Sequence, residues 1–128
     1  MQLRDLIKRK PIVVDGGSTI RDVIKIMAVE NIGFLIVKEG EEVVGVLSER
    51  DVIKVLAEEE DLGKKVGSFC RRDIITLRDS STLEEAAQVM GKRRIRHLVV
   101  VDAMGGVVGV VSVRDLLEEL FSPGPTGE

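Results

Sequence analysis

The sequence predicts an α+β fold in which one strand, helix, strand, strand, helix unit is spelled twice. Three observations predict it. Residues 42–51, EVVGVLSERD, return as residues 106–115, GVVGVVSVRD, which sets Gly45, Ser48 and Asp51 on Gly109, Ser112 and Asp115 at an offset of 64. At an offset of 63, Thr19, Ile20, Asp22, Val23, Ile24 and Met27 fall on Thr82, Leu83, Glu85, Ala86, Ala87 and Met90, and Ile32 falls on Ile95. The offset changes inside KEGEE and DAMGG, where a hairpin turn takes one extra residue at little cost. Such self-similarity marks a two-motif module rather than a single catalytic centre.

Each element has its own signal. Residues 12–14 and 74–77 are short β-rich runs that lead into serine-rich helix starts, Gly17-Ser18-Thr19 and Ser80-Ser81-Thr82. Ile20, Val23, Ile24 and Met27, and likewise Leu83, Ala86, Ala87 and Met90, recur at helical spacing, so one face of each helix is expected to be buried. Residues 34–37 with 43–47, and 98–101 with 107–111, are unbroken apolar runs joined by turns, as strands covered on both faces are. The closing helices match too, because Val52, Ile53 and Leu56 fall on Leu116, Leu117 and Leu120. Residues 60–70 link the halves, and the tail SPGPTGE after Phe121 is expected to be loose.

At 128 residues, 44% hydrophobic and 32% charged, the chain is globular. It is either one unit of ordinary domain size or two half-size motifs that share a core, neither folding alone. Leu, Ile and Val must build that core, since aromatics are 2% and Trp and Tyr are absent. Residues 1–64 hold 10 Lys/Arg against 13 Asp/Glu, and residues 65–128 hold 9 against 9. With no dominant basic stripe and no stacking aromatics, nucleic acid is not expected as the main partner. The second half nevertheless gathers Arg71, Arg72, Lys92, Arg93, Arg94 and Arg96. The single cysteine, Cys70, excludes an internal disulfide and a CxxC metal site. No leader with an apolar core and cleavage site opens the chain, and its apolar runs are far below membrane-spanning length, so a cytoplasmic, soluble protein without membrane contact is expected.

The inventory argues against an enzyme, since His97 is the only histidine and Cys70 the only thiol. Thr19/Asp22, Ser81/Glu84, Thr82/Glu85, Ser48/Asp51 and Ser112/Asp115, each a Ser/Thr with an acid three residues on, fit a helix capping box. Ser48 and Ser112 also stand where a strand ends and a helix begins, and a helix N-terminus offers N–H groups and partial positive charge to an anion. Asp51 and Asp115 could each accept two hydrogen bonds from a ribose diol. Capping leads on physics alone. The repetition of Arg50-Asp51 as Arg114-Asp115 favours a ligand, since a cap does not need the arginine and a phosphate would use it.

GVLSERD, GVVSVRD, the strand IRHLVVVD and the openings PIVVDGGSTIRDVI and DIITLRDSSTLEEAA resemble the cystathionine β-synthase (CBS) domain pair, or Bateman module, over about residues 4–121. The resemblance implies two βαββα motifs related by pseudo-twofold symmetry. It divides the chain into residues 1–61, a first motif with an N-terminal lead-in helix; 62–121, a second motif with a linker helix; and 122–128, a flexible tail. It also implies two clefts between the motifs that bind adenosine derivatives such as AMP, ADP, ATP or S-adenosylmethionine. Residue by residue, one cleft would join Ser48, Arg50 and Asp51 to Asp73, Ile75, Ile95, Arg96 and His97. The other would join Ser112, Arg114 and Asp115 to Lys10, Ile12, Ile32, Gly33 and Phe34. In this pattern aspartate takes the ribose, serine and basic residues take phosphate, and the apolar strand residues with nearby backbone hold adenine.

Gly33 and Phe34 stand where the first set has Arg96 and His97, so the second offers fewer cations and suits an uncharged nucleoside, or nothing. Lys92, Arg93 and Arg94 suit the negative end of a helix and are left out of the set, whereas Arg96 and His97 open a strand. His97 equally fits a hydrogen-bonded surface histidine. The expectation is a non-enzymatic regulatory CBS pair with no catalytic cofactor and no metal. It would bind a small adenosyl ligand, pair as a homodimer through its helices, and signal to an unidentified protein target in trans. The alternative is a structural dimerisation module without ligand.

Overall fold

The computed structural model describes residues 1–121, so the tail expected at 122–128 lies outside the described residues. The first repeat contains β1 (Val13–Asp15), α1 (Ile20–Glu30), β2 (Phe34–Glu39), β3 (Glu42–Ser48) and α2 (Glu49–Glu59). The second contains β4 (Thr76–Arg78), α3 (Leu83–Arg93), β5 (His97–Val101), β6 (Val107–Ser112) and α4 (Val113–Leu120). The sheets run β1-β2-β3 and β4-β5-β6. β1 and β4 pair parallel with the middle strand because a helix carries the chain back between them, and the hairpin partner pairs antiparallel.

The repeat of the sequence is a repeat of the fold, with small departures. The first strands begin at Val13 and Thr76, later than the expected 12 and 74, because Ile12 and Ile75 contribute only a carbonyl to the neighbouring strand, accepting from Ile36 N at 3.0 Å and Val99 N at 3.2 Å. The change of offset lies in the hairpins, as expected. Residues 40–41 turn the first, and residues 102–106 turn the second, where the Asp102 carboxylate accepts from Met104 N at 2.9 Å and Gly106 N at 3.0 Å. Gly40 and Gly105 take φ of 64° and 84°, which glycine adopts without strain.

The compact units do not follow the repeats along the chain. One is Pro11–Ile74; the other joins Met1–Lys10 to Ile75–Glu128. Each lead-in segment thus packs across the 1–61 and 62–121 division, and the physical reason is a matched set of contacts. Val66 N donates to Ser18 O at 2.8 Å and Gly67 N to Gly16 O at 2.8 Å in the first unit; Leu3 N donates to Ser81 O and Arg4 N to Asp79 O, both at 2.9 Å, in the second. Leu3 and Val66 are fully buried. The helices expected there are short 3-10 turns, Leu3–Leu6 and Val66–Ser68.

The expected shared core is two clusters. One holds Val14, Ile20, Val23, Leu35, Val37, Leu47, Val52, Val66 and Cys70, and the other Leu3, Leu83, Ala86, Met90, Leu98, Val100, Val111 and Leu116. Burying one such aliphatic side chain stabilises the fold by about 1.5–3 kcal/mol. The helices bury less than their apolar pattern suggests. Ile20 and Val23 of α1 are buried, yet Ile24 and Val29 are exposed, as are Ala87 of α3, Ile53 of α2, and Leu117 and Leu120 of α4. The apolar stripe on each helix is wider than the sheet beneath it can cover. Among the described residues no helix is long and apolar enough to cross a membrane.

Candidate functional site

Ser48 and Ser112 each end a strand and begin a helix, with extended backbone (φ −105° and −111°) that turns the chain into α2 and α4. Each closes a capping box. Asp51 N donates to Ser48 Oγ at 3.1 Å while Asp51 Oδ2 accepts from Ser48 N at 2.9 Å. Asp115 N donates to Ser112 Oγ at 3.1 Å while Asp115 Oδ2 accepts from Ser112 N at 2.8 Å. Ser48 Oγ also donates to Asp51 Oδ2 at 2.9 Å. Thr19/Asp22 and Thr82/Glu85 form the same box, and there the Thr19 amide holds the Asp22 carboxyl below its ordinary pKa. Ser81/Glu84 does not: Ser81 is committed to a turn, its N–H bonded to Arg78 O at 2.9 Å and its carbonyl to Leu3 N, so Thr82 is the cap.

Capping uses only Oδ2 of Asp51 and Asp115. Among the described residues Oδ1 of each takes no hydrogen bond, so each half-buried carboxylate keeps an oxygen for a further donor. The helix N-termini are less open. Glu49 N is held by Gly33 O at 2.9 Å and Val113 N by Arg96 O at 2.9 Å, so two of the first three N–H groups of each helix are spent on the strand and the cap. An anion there depends on side-chain cations more than on the bare helix end.

The strand register brings each signature beside the opening of its own middle strand: Ser48 pairs with Phe34, and Ser112 with His97. The unit Pro11–Ile74 thus holds Ser48, Arg50 and Asp51 close to Gly33 and Phe34, together with the half-buried Ile12 and Ile32 and the exposed Asp73. The other unit holds Ser112, Arg114 and Asp115 close to Arg96 and half-buried His97, with Ile75, Ile95 and exposed Lys10. Each set inferred from the resemblance draws residues from both units. Lys92 and Arg93 occupy the last turn of α3, as expected, and Arg94 caps it in the left-handed region.

One residue was missed. The Glu49 carboxylate lies over Gly33, where a Cβ would be 2.9 Å from Glu49 Cδ. Its repeat counterpart is Val113 at an offset of 64, so an acid stands on one side where the other has a hydrocarbon. The alignment of the repeats already carried that signal. Among the described residues no cluster of His, Cys, Asp and Glu could hold a metal ion.

The CBS domain model matches residues 3–58 and 66–122. An uncharacterized protein of Acidianus ambivalens is 31% identical over 113 residues, 88% of this chain and 68% of its own length. Two longer relatives from Methanocaldococcus jannaschii are spanned over 34% and 63% of their length. A CBS domain protein of Pyrobaculum aerophilum, solved in complex with AMP, is 30% identical with a TM-score of 0.83, over 96% of this chain and 100% of that one. A CBS domain pair in complex with 5′-methylthioadenosine and S-adenosyl-L-methionine is 28% identical with a TM-score of 0.83, over 94% and 95%.

Proposed function

The chain belongs to the CBS domain family, and from that premise we propose that it is a regulatory rather than catalytic module that binds an adenosine-containing ligand with residues of both motifs. The observation that carries this reading is the carboxylate oxygen that Asp51 and Asp115 each keep after capping, placed identically in both repeats and preceded by an arginine. In this proposal Asp51 takes the ribose, Ser48 and Arg50 with Arg96 and His97 take phosphate, and Asp73, Ile75 and Ile95 frame the base. Ser112, Arg114 and Asp115 act likewise with Lys10, Ile12, Ile32, Gly33 and Phe34. The Glu49 carboxylate at Gly33 makes that second set the poorer host for phosphate. The ligand class, AMP, ADP, ATP or S-adenosylmethionine, is supported by the two similar proteins solved with AMP and with S-adenosyl-L-methionine.

Binding would favour one arrangement of the motifs, and a partner protein in trans would read it. The exposed Ile24, Val29 and Ile53, and a groove of about 210 Å³ lined by Ile24, Met27, Glu49, Val52, Ile53 and Leu56, support a homodimer through the helices. A monomer of 14.0 kDa in sedimentation at micromolar concentration would exclude it. A reducing, cytoplasmic setting suits the single buried cysteine.

Calorimetry with AMP, ADP, ATP, S-adenosylmethionine and adenosine tests the reading, with at least one expected to release or absorb heat. Without Trp or Tyr the chain scarcely absorbs at 280 nm, so a co-purified purine would dominate its near-ultraviolet spectrum. No heat and no purine band would leave the second reading, a dimerisation module without ligand, which the closed capping boxes and exposed helix faces favour.

A further inference from the structure

We propose that the side chains at positions 7 and 70 decide whether each lead-in segment zips onto the edge of a sheet, and so act as positioning residues for the ligand groups that follow them in the chain. The ligand arm of this inference rests on the adenosyl-binding reading; the structural arm does not.

Ile7 and Cys70 are equivalent at an offset of 63, and each lies over the glycine of a signature strand. A Cβ at Gly45 would stand 2.6 Å from Cys70 Sγ and 2.7 Å from Arg71 O, so only glycine admits the segment there. Cys70 is small, and the main chain after it reaches β3. Arg71 N donates to Val46 O at 2.9 Å, and Val46 N donates to Arg71 O at 2.8 Å.

At Gly109 the nearest atoms to such a Cβ all belong to the Ile7 side chain, Cδ1 and Cγ2 at 2.8 Å and Cγ1 at 2.9 Å. A branched side chain occupies the space that the main chain fills in the other unit. Among the described residues no bridge joins Val110 to Lys8, the pair equivalent to Val46 and Arg71. Asp73 and Ile75 therefore follow closely on a main-chain pair to the sheet edge, whereas the stretch just before Lys10 and Ile12 has no such pair and meets β6 through the Ile7 side chain. Groups fixed in advance lose less freedom on binding, so the set containing Asp73 and Ile75 is the tighter one.

Residue-resolved amide exchange on the full chain, with AMP calorimetry alongside, tests this. Cys70→Ile should speed exchange at Val46 and Arg71 by at least about tenfold and weaken AMP by roughly threefold to tenfold, the worth of one lost hydrogen bond. Cys70→Ala, small like cysteine, should preserve both. If Cys70→Ile does not fold, Ile7→Cys reads the opposite change, slowing exchange at Lys8 and Val110 by about tenfold. Unchanged exchange at Lys8 and Val110 in Ile7→Cys, or equal losses in Cys70→Ala and Cys70→Ile, would overturn the inference. Altered exchange with unaltered AMP affinity would remove the positioning role and leave the latch. No AMP heat with the unaltered chain would remove the ligand arm while the exchange rates still decide the latch.

Discussion

The helices α2 and α4 start in the same way and differ in what stands beside them. Both are capped by a serine whose partner carboxylate keeps one oxygen, and both take a main-chain bond from the first helical N–H to the strand opening. Beside α2 that opening is Gly33 and Phe34, with the Glu49 carboxylate laid over the glycine; beside α4 it is Arg96 and His97, with Val113 in the place of the acid. The unit Pro11–Ile74 carries 9 Lys/Arg against 13 Asp/Glu, and the other carries 10 against 9. The duplicated parts are those that a helix start requires, while charge has drifted between the copies. One architecture can in this way present two chemically distinct surfaces.

The largest effects are expected at the exchanged lead-ins, whose contacts match in the two units but serve opposite sheets. Leu3→Ala should cost about 2–5 kcal/mol in denaturant titration, the range for a fully buried leucine. The loss of amide protection should fall on β5 and β6, whereas Val66→Ala should loosen β2 and β3. Protection lost in the opposite sheets would refute the exchange.

Ligand binding sharpens the comparison next. Asp51→Asn should weaken a phosphorylated ligand by roughly 1.5–3 kcal/mol, as expected for hydrogen bonds to a charged group, against at most about 1 kcal/mol of stability if the aspartate only caps. Arg96→Ala should weaken AMP more than adenosine, and Asp115→Asn should matter less than Asp51→Asn for the same ligand. Equal losses at Asp51 and Asp115 in calorimetry would erase the asymmetry.

A smaller difference lies at the ends of the first helix of each repeat. Asn31 and Arg94 both sit in the left-handed region, at φ of 54° and 55°, which asparagine adopts at less cost than arginine. Arg94→Gly should stabilise by about 0.5–1 kcal/mol and Asn31→Gly by less, read from thermal midpoints.

The smallest effect concerns pH. Burial raises the Cys70 thiol pKa, so the unfolded chain gives up this proton first. Stability from the neutral buried thiol is complete below the ordinary thiol range and declines as pH rises through it towards the folded value. Cys70→Ala should flatten that alkaline slope, measured against unaltered protein.

Much of this was legible in the residues because the chain supplies its own alignment. Two copies of the signature located the strands, the helix caps and the hairpin that absorbs the extra residue. The lead-in exchange was not legible, since Leu3, Leu6 and Ile7 stand at a helical spacing that marks a buried face without saying which repeat receives it, and their contacts repeat at the same offset as the sequence. Ser81 and Thr82 both fit a capping box, and only the main-chain turn at Ser81 decides between them. Glu49 was visible as a mismatch with Val113, but its place over Gly33 depends on the strand and helix meeting in space.

The lead-in exchange also fixes an order of events at the ribosome. Synthesis at roughly 5–20 residues per second releases Pro11–Ile74 as a complete unit, with Val66 and Cys70 in place, while most of the second repeat is still unmade. Met1–Lys10 is made before that unit, yet the core that receives Leu3 closes only after Leu116 has been added. A segment translated before the first unit is thus installed after it, and for several seconds its apolar residues depend on the nascent chain's surroundings rather than on their own fold.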